Sequence, residues 1–133
     1  MEKTIHPSQV SGEVRPPCSK SYAQRALAAA LLSDGETTLS NIELCDDTRY
    51  AMNVITGLGA SVRQTGPTEY VIRGGLAPIT DTINTGESGL ATRLFTPIAA
   101  LCDRRMTITG TGTMLRRPIG MMICLLYTSD AAD

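Results

Sequence analysis

The chain has 133 residues, a formal net charge of −1 at pH 7 and a hydrophobic share of 42%, with one Phe, four Tyr and no Trp. That length is one domain's worth or part of a larger one. A core of Ala, Leu, Ile, Val and Met suits α/β packing better than a base-stacking surface. A charge this close to zero excludes a global field for nucleic acid or acidic membranes, so basic residues matter only where they cluster.

The first element is a helix. Pro16 and Pro17 have fixed φ and no N–H, so neither belongs inside one. Tyr22 to Leu32 is mostly Ala, Leu, Gln and Arg, which are strong helix formers. The helix is expected to begin near Ser19 or Ser21, with a serine as N-cap, and to end at Ser33-Asp34-Gly35 with Gly35 as C′ residue. Glu36 to Ile42 reads as a short strand. A second helix follows over Thr48 to Gly59, with Asp46-Asp47 at its positive end and Met52, Ile55 and Leu58 at helical spacing. Ala60 to Gln64 and Tyr70 to Arg73 form a hairpin around Gly66-Pro67.

A second unit then starts. Thr80 to Asn84 is strand-like, Thr85 to Gly89 is a glycine turn, and Leu90 to Cys102 is a helix. Its apolar stripe is expected at Leu90, Leu94, Ile98 and Leu101, with a kink or shortening at Pro97. Arg105 to Gly110 is a further strand. The order is helix, strand, helix, hairpin, then strand, helix, strand, an α/β alternation in two partly similar units.

Three helix starts carry cations. Lys20 and Arg25 flank the first, where unpaired N–H groups and the helix dipole favour a phosphate or carboxylate. Gly86-Glu87-Ser88-Gly89 lets a ligand approach the backbone before a helix that carries Arg93. Arg116-Arg117 precede Pro118, where guanidinium forks suit a carboxylate. Each alone reads first as a capped helix, tight turn or loop with solvated cations. Together they suit a small ligand with several negative groups. Asp46-Asp47 lacks a third ligand for a metal, and helix capping accounts for it better.

Cys18, Cys45, Cys102 and Cys124 form no CxxC pair and no ligand set with the single His6, so they read as reduced thiols in a cytoplasmic protein. Met1 to His6 has no apolar stretch typical of a signal peptide, and no run approaches the roughly 20 apolar residues of a membrane span.

Four blocks in order resemble the 5-enolpyruvylshikimate-3-phosphate synthase family. They are Pro17-Cys18-Ser19-Lys20-Ser21 with Arg25-Ala26, Asp46-Asp47-Thr48-Arg49, Gly86-Glu87-Ser88-Gly89 with Arg93, and Arg117-Pro118-Ile119. The resemblance covers about Glu13 to Met122. It implies transfer of the enolpyruvyl group of phosphoenolpyruvate to the 5-hydroxyl of shikimate 3-phosphate, with release of phosphate. It also implies no metal or organic cofactor, and a monomer for the full-length protein. By carry-over, Lys20, Ser21 and Arg25 contact shikimate 3-phosphate. Lys20, as the catalytic cation, Gly89 and Arg117 contact phosphoenolpyruvate, while Arg93, Asp47 and Arg49 support them. The related UDP-N-acetylglucosamine enolpyruvyl transferases usually carry Ala-Lys-Asn where this chain has Ser19-Lys20-Ser21. A non-catalytic anion-binding fragment is the other alternative.

The chain departs from the family pattern at Cys18, usually a small residue such as Gly, at Glu87, often Asn, and at Leu90, often Thr. The family fold implied is an inside-out α/β barrel of βαβαββ units, here one unit and part of a second. Residues 1–122 would be its N-terminal part. Residues 123–133 match nothing in the family and read as a non-native tail. Incompletely covered apolar faces imply a marginally stable, inactive fragment.

Overall fold

The computed structural model of the chain describes residues 2–124. Behind the two prolines, Ser19 is extended and its Oγ accepts the Tyr22 N–H at 3.4 Å, so α1 (Lys20–Leu31) begins at one of the two expected serines. Its buried face is Ala23, Gln24, Leu27, Ala28, Ala30 and Leu31. The helix stops at Leu31 with Leu32 as cap, so Gly35 is not its C′ residue. Gly35 lies instead in the following turn, its N–H on Ser33 Oγ and its carbonyl on the Gly74 N–H.

Strand β1 (Glu36–Leu39) is shorter than expected, because the chain turns at Asn41, whose φ of 60° lies in the left-handed region. Asn tolerates that conformation better than most residues with a Cβ. Helix α2 (Asp46–Gly57) starts earlier than expected, with Cys45 as N-cap and Asp46 and Asp47 in its first turn. Thr48 reaches back, its Oγ1 accepting the Cys45 N–H at 2.9 Å. Met52, Ile55 and Leu58 are all buried, as their spacing predicts. Gly59 closes the helix at φ +114°, with its Cα packed on the Ala77 backbone where a side chain would collide.

The hairpin pairs β2 (Ser61–Gly66) with β3 (Glu69–Arg73), and Val62 faces Ile72 across it. A bulge falls between Gln64 and Gly66. Strand β3 is central, antiparallel to both β1 and β2. The second unit is β4 (Thr82–Asn84), α3 (Gly89–Ala100) and β5 (Thr107–Thr109). Strands β4 and β5 pair in parallel with Ile83 opposite Ile108, and α3 is their crossover.

The buried face of α3 differs from the expected stripe. It is Ala91, Thr92, Phe95, Ile98 and Ala99, whereas Leu101 is 67% exposed and Leu90 and Leu94 are half-buried. Helix α3 packs against both α1 and α2, and the single Phe is fully buried in their shared core. Full burial of a side chain such as Phe95 contributes about 1.5–3 kcal/mol. Pro97 lies inside the helix without ending it. After β5 comes a 3₁₀ turn, Gly112–Arg116, and an extended Arg117. Helical residues resume at Gly120, so no helix starts directly at Pro118.

One apolar cluster joins α1, α2, both sheets and α3. The mixed α/β order is the expected one unit followed by part of a second, and no closed barrel forms among the described residues. Of the tail expected at 123–133, residues 125–133 lie outside the described residues.

Candidate functional site

The first helix end is an exposed charged surface. Lys20, the first residue of α1, places Nζ 2.9 Å from Asp47 Oδ2 in the first turn of α2. That hydrogen bond, and then the Asp47 charge, push the Lys20 pKa above its ordinary value. Ser21 is half-buried, and Arg25 turns back one helical turn to donate from Nη1 to the Ser21 carbonyl at 3.3 Å. Arg49 stands exposed on α2, and its guanidinium makes no hydrogen bond or ion pair among the described residues.

The second helix end is built mainly from backbone. Asn84 Oδ1 accepts the Gly86 N–H at 2.8 Å, and Gly86 turns at φ +61° against the Tyr50 ring, where a Cβ would collide. Ser88 caps α3 by accepting the Ala91 N–H at 3.1 Å. The Gly89 and Leu90 N–H groups have no acceptor among the described residues, as befits the first turn of a helix. Arg93 Nη1 donates to the Gly89 carbonyl at 2.9 Å. A Cβ on Gly89 would lie 2.9 Å from Arg93 Nη1 and 3.0 Å from Arg117 Nη1. Two guanidinium groups therefore close on one backbone position at the positive end of a helix. That is an arrangement for an anion of phosphate or carboxylate type.

Arg117 is held there by its neighbours. Its Nη2 donates to Thr113 Oγ1 at 3.3 Å, and Thr113 donates its hydroxyl (2.8 Å) and N–H (3.1 Å) to Glu87 Oε2. Gly112, at φ +51°, lets the chain pass directly against the Glu87 carboxylate. The two Thr113 hydrogen bonds, aided by the Arg117 charge, hold the Glu87 carboxyl below the usual carboxylate range. Glu87, Gly112, Thr113, Arg116 and Arg117 line an open cleft of about 450 Å³.

The structure thus gathers Gly89, Arg93 and Arg117 in one place, and Lys20, Ser21, Arg25 and Asp47 in another. A buried bond joins the two: Ser88 Oγ donates to Gln24 Oε1 at 2.9 Å. In the sequence Ser88 reads only as part of the glycine turn before α3, and no local signal marks Gln24; their pairing comes from tertiary packing. Asp46 and Asp47 serve α2 and Lys20, and no group of three or more candidate metal ligands exists among the described residues. Cys18 packs against the core.

A family model described as EPSP synthase (3-phosphoshikimate 1-carboxyvinyltransferase) matches residues 5–132. The chain belongs to the EPSP synthase family. Among relatives named 3-phosphoshikimate 1-carboxyvinyltransferase, that of Halobacterium salinarum is 39% identical over 92% of this chain. That of Korarchaeum cryptofilum is 38% identical and that of Rhizobium leguminosarum bv. trifolii 36% identical, each over 90% of this chain. The chain spans 29% of the length of these relatives. The solved EPSP synthase of Acinetobacter baumannii superposes with a TM-score of 0.72 at 23% identity, over 81% of this chain and 25% of that one. That likeness shows the EPSP synthase fold. No helix among the described residues is long and apolar enough to cross a membrane.

Proposed function

We propose that this chain supplies the N-terminal anion-binding part of an enzyme that transfers the enolpyruvyl group of phosphoenolpyruvate to the 5-hydroxyl of shikimate 3-phosphate. Inorganic phosphate is the other product. The observation that carries this reading is the closure of Arg93 and Arg117 on the Gly89 backbone at the start of α3. Phosphoenolpyruvate carries a phosphate and a carboxylate, and shikimate 3-phosphate carries both groups as well. Such ligands need cations and free N–H groups at two neighbouring places.

In this reading Lys20, Ser21 and Arg25 hold shikimate 3-phosphate. Phosphoenolpyruvate lies between Lys20, the Gly89 backbone and Arg117. Arg93 fixes the Gly89 carbonyl, so the N–H of the same turn faces the ligand in one orientation. Asp47 holds Lys20 in place until an anion takes it over, and Arg49 adds positive charge beside Asp47. When substrate displaces water from the cleft, each of these charged contacts strengthens. The protein acts in the cytoplasm, the full-length enzyme is a monomer, and it uses no metal or organic cofactor.

Calorimetric titration of the chain with shikimate 3-phosphate tests the site. Saturable binding that weakens at least about tenfold in Lys20→Ala is expected. Binding unaffected by that change, or none in the parent, contradicts it.

A further inference from the structure

The two helix ends are joined through the core. Gln24 is 1% exposed and Ser88 4% exposed, far below what primary amides and hydroxyls ordinarily show. Ser88 Oγ uses a lone pair for the Ala91 N–H, which leaves its single proton for Gln24 Oε1 at 2.9 Å. Burying an amide is unfavourable unless it is bonded, and an apolar side chain would hold the same helices together without that demand. What an apolar residue lacks is direction. The Gln24 to Ser88 bond fixes distance and angle at a single point.

That point lies between the two candidate half-sites. Gln24 is on α1, one turn after Lys20 and adjacent to Arg25. Ser88 is the residue before Gly89 and caps the helix whose first turn bears Arg93. We propose that Gln24 is a positioning residue for this site. Through Ser88 it sets the spacing between the Lys20–Ser21 end of α1 and the Gly89–Arg117 end of α3, so that one ligand with two anionic groups reaches both. The inference rests on the phosphoenolpyruvate site proposed above.

Two probes separate positioning from packing. Phosphoenolpyruvate has a phosphate and a carboxylate and must span the half-sites, whereas inorganic phosphate needs only one. Both are titrated into the ¹⁵N-labelled chain below its thermal transition, with the Ser21 and Gly89 amides as reporters. In Gln24→Leu, phosphoenolpyruvate affinity is expected to fall about tenfold while phosphate affinity stays within about twofold of the parent. Ser88→Ala should behave in the same way, and it carries the test if Gln24→Leu does not fold. Ser88→Thr, which keeps the hydroxyl, should recover the parent affinity. Equal loss of both probes, or loss of neither, overturns the inference and leaves Gln24 as a packing residue. A parent chain that binds neither probe overturns the proposed function, and this inference with it.

Discussion

The N-termini of α1 and α3 follow one plan in two environments. Each has a serine N-cap, Ser19 or Ser88, whose Oγ takes an N–H of the first turn. Each has an arginine that folds back to the carbonyl four residues earlier, Arg25 to Ser21 and Arg93 to Gly89. They differ in what surrounds that plan. At α1 the cap is exposed and the extra cation, Lys20, is neutralised by Asp47. At α3 the cap is buried, the first residue is glycine, and a second guanidinium arrives from a distant loop. The first end relies on mobile side-chain charge and is open to salt screening. The second relies on fixed backbone groups, which are already aligned before a ligand arrives.

The largest effect should come from filling the α3 end. Gly89→Ala places a methyl group 2.9 Å from Arg93 Nη1 and 3.0 Å from Arg117 Nη1. Both neighbours are tips of long side chains, and Ala favours a helix, so the fold should survive with little change in Tm. Phosphoenolpyruvate affinity should drop about a hundredfold as both guanidinium groups are displaced. A drop confined to Tm, with binding intact, would mean that the α3 end does not hold the ligand.

Arg117→Lys should cost less, about tenfold in phosphoenolpyruvate affinity, because an ammonium keeps the charge but loses the fork and its bond to Thr113. Binding of shikimate 3-phosphate should hardly change. Loss of both ligands in parallel would mean that the two ends do not act as separate half-sites.

Asp47→Asn tests the α1 end. The Lys20 pKa is raised by Asp47, so the pair contributes stability below the ordinary lysine value and loses it as pH rises through the raised value. The variant should titrate Lys20 lower by NMR, and its phosphate affinity should rise about two- to threefold because the ammonium is no longer engaged. Unchanged titration would show that the pair does not persist in solution.

Glu87→Gln gives the smallest effect near neutral pH. The Glu87 pKa is lowered, so its latch to Thr113 contributes stability above the ordinary glutamate value and loses it as pH falls through the lowered value. The Thr113 amide shift should therefore follow an acid transition below the usual carboxylate range in the parent and show none in the variant. A parent transition at or above the usual range would contradict the latch.

The element order was legible because punctuation and periodicity agree. Pro16-Pro17, Ser19, Gly59 and the Gly66-Pro67 turn mark boundaries that the structure keeps within a few residues. The face of α3 was not legible. Its large aliphatic residues suggest one stripe, but the fold turns the face of Ala91, Thr92, Phe95, Ile98 and Ala99 into the core shared with α1 and α2 and leaves Leu101 exposed. The site was legible by residue type wherever a motif is local, as at Lys20 or Gly89. The links between motifs were not. Arg117 reaches Gly89 through Thr113, and Gln24 meets Ser88 across 64 positions of chain, contacts that only tertiary packing creates. Glu87 shows the same limit. As a charge beside an anion site it looks unfavourable, yet in the fold its carboxylate is turned onto Thr113.

The most direct test of the two-ended site is a ¹⁵N NMR titration of the chain with phosphoenolpyruvate at low ionic strength. The Gly89 amide and the Lys20 and Ser21 amides should shift together and saturate with one dissociation constant. Movement at Lys20 and Ser21 without Gly89, or at neither, would contradict it.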